Sequence, residues 1–86
     1  MPQISIFLGI IIRMYFDDHN PPHFHASYAE HQAIIDIKKL ELWGGYLPPR
    51  VLGLVIEWAA IHQNELMDNW EKAIRQEALL PIKPLV

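Results

Sequence analysis

The chain has 86 residues, of which 51% are apolar; that is one domain with a small core, and it excludes a mainly disordered protein. Seven Lys and Arg stand against ten Asp and Glu, a net charge of -3, which disfavours a reader of double-stranded DNA, since such proteins carry a basic stripe. Cysteine is absent, so disulfides, thiolate chemistry and cysteine zinc sites are excluded and a cytoplasmic location is expected.

The first segment, "MPQISIFLGIIIRMYF", is apolar but short, has no basic residue ahead of it and is interrupted by Arg13. It reads as neither a signal peptide nor a membrane span. Residues 3–8 and 10–16 are rich in β-branched and aromatic side chains and read as two strands. Gly9 between them reads as a bend, a bulge or a close backbone approach rather than a full turn. In the second strand Ile10, Ile12, Met14 and Phe16 share one face, and Ile11, Arg13 and Tyr15 the other. Pro21 and Pro22 stop a regular strand over residues 17–22. Strands are expected again over residues 23–28 and 31–37, with a turn at Ala29 and Glu30. Residues 38–43 suit a short extra strand, and Gly44 with Gly45 signals a turn. Trp43 and Tyr46 beside it suit either a packed hairpin tip or an exposed contact surface.

Pro48 and Pro49 mark a helix start. Val51, Leu54, Val55, Trp58 and Ile61 form one helical stripe, and Leu66, Trp70 and Ile74 another. The stripes fit one long helix or, preferably, two with a break around residues 62–65. The tail, "EALLPIKPLV", suits an extended arm along the sheet. The fold class is therefore α+β: a small, mostly antiparallel sheet of three to five strands, then C-terminal helices packed on it, with Trp58 and Trp70 in the core.

Four of the five histidines lie in "FDDHNPPHFHASYAEH". With strand geometry, His23 and His25 leave the same face, with Phe24 on the core side. Such a density of histidine, with two aspartates and two prolines, points to a site more than to a stiff polar turn. His19 with His23 or His25 suits general acid and base work, with Asp18 orienting a ring. Cleavage of an RNA phosphodiester fits that chemistry, Arg13 or Arg50 offsetting the phosphate charge. The same atoms, His23 and His25 with His19 or Asp18, suit a zinc site with an open position. His31 reads as a surface residue and His62 as a partly buried helix residue.

"RMYFDDHNPPHFHASYAE", with the later "LPPR", "EWAAIHQNEL" and "NW", resembles a family of small bacterial proteins known as domain of unknown function 4160. The resemblance runs over nearly the whole chain and its motif falls on Asp18, His19, Pro21, Pro22, His23 and His25, followed by Leu47, Pro48, Trp58, Leu66 and Trp70. Ala29 stands where members often have Gly. The resemblance implies a partner in a small operon of toxin–antitoxin type. It brings no catalytic roles. Three readings follow: a non-catalytic partner-binding or regulatory protein; a small metal-independent ribonuclease toxin; and a metal-binding module. The expected partner is a small protein from the same operon, with homo-oligomers and RNA as further candidates and no membrane.

Overall fold

The computed structural model describes residues 2–16 and 19–86. Its five strands are β1 (Gln3–Phe7), β2 (Ile10–Arg13), β3 (His23–Tyr28), β4 (His31–Asp36) and β5 (Glu41–Gly45). They form one antiparallel sheet in chain order, so every strand pairs with its sequence neighbours. Two helices follow, α1 (Pro49–Ile61) and α2 (Gln63–Ile74). The expected α+β architecture is the observed one, and the preferred break between helices falls at His62 (φ -112°, ψ 25°).

Strand alternation places the core. Ile10, Ile12 and Met14 are fully buried with Phe24, Ala26 and Ile35, while Ile11, Arg13 and Tyr15 are partly exposed. Trp58 of α1 packs against Phe7 at 5.5 Å and Phe24 at 5.8 Å between ring centroids. Its full burial alone removes ~150–250 Å² from water. Val51, Val55, Leu66 and Trp70 complete the helical contribution. Ile61 and Ile74, the last members of the two expected stripes, are exposed instead. Each is the last residue of its helix. Phe16 is also exposed, because β2 ends at Arg13 and alternation no longer governs it.

Two turns differ from the sequence expectation. Leu8 and Gly9 form a full two-residue turn, closed by the Phe7–Ile10 pair, with φ of 52° and 79°. Both central residues being left-handed matches the type I′ geometry that suits the twist of a hairpin. Gly44 and Gly45 are not a turn; they end β5, opposite Ile34 and Ala33. The turn lies earlier, over residues 37–40. There the Asp36 carboxylate accepts the Lys38 and Lys39 backbone N–H groups, each at 2.9 Å, which is the local bonding that makes Asp a turn former. The extra strand therefore begins at Glu41 rather than Lys38.

The tail is an extended arm, held by three side-chain and backbone clamps. The Ile82 N–H donates to the Ile4 carbonyl of β1 at 2.8 Å. Trp58 Nε1 donates to the Lys83 carbonyl at 2.8 Å. The buried Asn69 amide both donates to the Leu80 carbonyl and accepts its N–H, each at 2.9 Å.

Candidate functional site: a histidine–aromatic cluster

The loop before β3 is fixed through its prolines. The Pro22 carbonyl accepts the Ile37 N–H at 3.0 Å, extending the β3–β4 ladder one step beyond the His23–Asp36 pair. The Pro21 carbonyl accepts from His23 Nδ1 at 2.7 Å. A carbonyl oxygen has no proton to give, so Nδ1 carries the hydrogen of this bond. His23 is only 4% exposed.

Its ring is the hub of a chain of π-systems. His25 lies 5.3 Å away, Trp43 of β5 5.0 Å and Trp70 of α2 5.1 Å, centroid to centroid. Tyr15 meets His25 edge-on at 4.5 Å. Such pairs add ~0.5–1.5 kcal/mol each beyond area burial. The expected side-by-side placement of His23 and His25 is observed. The enclosure by Trp43 and Trp70 was not expected, because tryptophans at helical and turn spacing carry no sign of which strand they will meet. Trp43 and Tyr46 are the exposed alternative, at 52% and 53%; Tyr46 also meets the His31 ring at 5.1 Å.

Arg13 lies directly opposite His25 in the β2–β3 pairing, and its guanidinium donates to Ser27 Oγ at 3.4 Å. One imidazole, one guanidinium, one hydroxyl and the Tyr15 ring thus share the sheet face away from the core. Other candidates stand elsewhere. His19 is exposed on the loop, outside β2 and β3. Arg50 is exposed in the first turn of α1. His62 sits between the helices, with Nδ1 2.6 Å from a Glu65 carboxylate oxygen. Asp17 and Asp18 lie outside the described residues, so the orienting carboxylate expected at Asp18 does too.

The zinc expectation is overturned. Among the described residues no three of His, Cys, Asp and Glu form a group able to hold a metal ion. His23 turns Nδ1 to its own loop carbonyl and is walled by rings, and His19 is an exposed loop residue. Among the described residues no helix is long and apolar enough to cross a membrane.

The fold and cluster define a small α+β protein: a five-stranded antiparallel meander with helices packed on it, and paired histidines among aromatic rings that include Trp70 of α2. The family described as a domain of unknown function, DUF4160, matches residues 9–71, which include β2 to β5, the histidine segment, α1 and most of α2. The chain belongs to that family. No curated protein and no solved structure matches it.

Proposed function

We propose that the protein is a non-catalytic, partner-binding member of a toxin–antitoxin-type pair, and that a small protein from the same operon docks on the sheet face carrying the histidine–aromatic cluster. The observation that carries this reading is His23. Its ring is almost fully enclosed, bonded to Pro21 and packed on three other rings. A ring so held organises a surface better than it moves protons to and from a substrate. Beside it Trp43 exposes about half its area, and Tyr46, packed on His31 further along the sheet, does the same. Half-exposed aromatic residues of this kind are what hot spots are made of. The net charge of -3 favours a basic partner.

The test is co-expression with the protein encoded beside it, followed by calorimetry on the purified pair. Tight binding is expected, weakened more than about tenfold by Trp43→Ala or Tyr46→Ala. RNA incubated with the protein in chelator should stay intact.

One observation favours a second reading, the ribonuclease: Arg13 stands opposite the partly exposed His25, a cation beside an imidazole. RNA cleavage in chelator that vanishes in His25→Ala, with no binding to the neighbouring protein, would replace the first reading with this one.

A further inference from the structure

Strand pairing lays Arg13 in one row with Gln3, His25 and Ile34. Ile6, Ile11, Ser27 and Gln32 form a second row on the same face, because alternation returns every second residue to it. No member of either row is buried, whereas Ile12, Ala26 and Ala33, which lie between the rows, are. Arg13 is the one Lys, Arg, Asp or Glu in the two rows. Among the described residues its guanidinium makes one hydrogen bond, to Ser27 Oγ at 3.4 Å, and no carboxylate pairs with it. That bond is long for N–H···O, and a guanidinium carries five N–H donors in a planar fork.

The surroundings select the kind of anion. A nucleic-acid backbone brings a run of phosphates and is held by several cations. The six other Lys and Arg of this chain lie in the turn after β4, on or beyond the helices, and on the arm, and the net charge is -3. A single carboxylate needs only one cation, and a bidentate pair with arginine uses both prongs of the fork. Ile6, 52% exposed, and the partly exposed Ile11 and Ile34 lie around Arg13. They offer apolar contact that a protein surface can match and a phosphate chain cannot.

We infer that Arg13 is the charged anchor of the docking face, and that it takes the carboxylate of one Asp or Glu set among apolar residues of the partner protein. The inference rests on the partner-binding reading and adds the chemistry of the contact. At long range the net charge draws a basic partner; at the contact, Arg13 requires that partner to keep one acid inside its docking surface. A neighbour without that acid would cover the guanidinium and leave its donors unpaired, which is costly and so selects among related partners.

The experiment is calorimetry of the full chain with the intact protein encoded beside it. Arg13→Gln is expected to weaken binding at least about tenfold, and Arg13→Glu more strongly, since it sets acid against acid. Each Asp and Glu of the partner is then changed to Lys in turn. One such change should restore binding to Arg13→Glu by at least about tenfold while weakening binding to wild type. A variant that had merely misfolded would not be rescued by a charge on the other protein. Binding indifferent to both Arg13 variants, or a loss in Arg13→Glu that no partner change restores, would overturn the inference and leave the partner-binding reading in place. A neighbouring protein that does not bind wild type at all, with RNA bound instead, would overturn both.

Discussion

His23 joins the family motif to the physical core. Replacing it by Ala removes a ring that touches three others and the bond to Pro21. Large-to-small changes at such sites cost about 2–5 kcal/mol, and in a domain of this size each kcal/mol moves Tm by roughly 4–8 °C. His23→Ala should therefore melt at least about 10 °C lower, whereas His25→Ala, on a partly exposed ring, should cost less than half as much. Equal melting temperatures for the two variants would contradict the view of His23 as a structural hub. Ala29 shows a different residue-scale cost. It holds φ at 52° in the turn closed by the Tyr28–His31 pair, a conformation that costs a side chain roughly 1 kcal/mol and glycine almost nothing. Ala29→Gly should raise Tm by a few degrees, and a drop would show that the turn tolerates Ala for another reason.

At the scale of elements, most of the sheet was legible because alternation is a local signal. Ile10, Ile12 and Met14 announce a core face without knowledge of what covers it. The misread diglycine depends on a partner across the sheet. Gly44 and Gly45 look like a turn in sequence, yet β4 claims them for pairing. Gly45 is required there: a Cβ would lie 2.2 Å from the Gln32 carbonyl oxygen and 2.9 Å from Ala33 Cα, and φ is +77°. At Gly44 the nearest such atom is Ile34 Cδ1 at 3.8 Å, an ordinary contact. Gly45→Ala should thus cost several kcal/mol, in the class of strained backbone with overpacking, and Gly44→Ala little. Urea titrations of the two variants give the comparison, and near-equal midpoints would remove the argument. In the candidate site, the pairing of His23 with His25 was legible from their spacing of two. Its closure by Trp43 and Trp70 was not, because those contacts join residues 20 and 47 positions away.

For the whole molecule, the arm decides how the sheet and the helices are held as one body. Among the described residues, polar contacts add to the apolar ones that reach across: Gln63 Nε2 donates to the Ile37 carbonyl at 2.8 Å, tying the start of α2 to the turn after β4, and the arm links α1, α2 and β1 through Lys83, Leu80 and Ile82. Asn69 is the central clamp. It is 2% exposed, and its amide matches one backbone N–H and one carbonyl as a peptide group would. Asn69→Ala leaves both Leu80 groups without that partner, at about 1–3 kcal/mol for each group that stays buried. Asn69→Asp keeps the acceptor, loses the donor and sets a carboxylate against a carbonyl, so it should be no better than Ala. Cutting the chain after Glu77 removes Ile82 from the core and the acceptor from Trp58 Nε1 together. Limited proteolysis separates two forms of the idea. If the arm holds the layers together, Asn69→Ala should be cleaved first in residues 78–86, and the shortened protein should then unfold cooperatively at a much lower temperature. An arm cleaved equally fast in wild type, with no loss of Tm after cleavage, would mean that the sheet and helices are held by their apolar contacts alone.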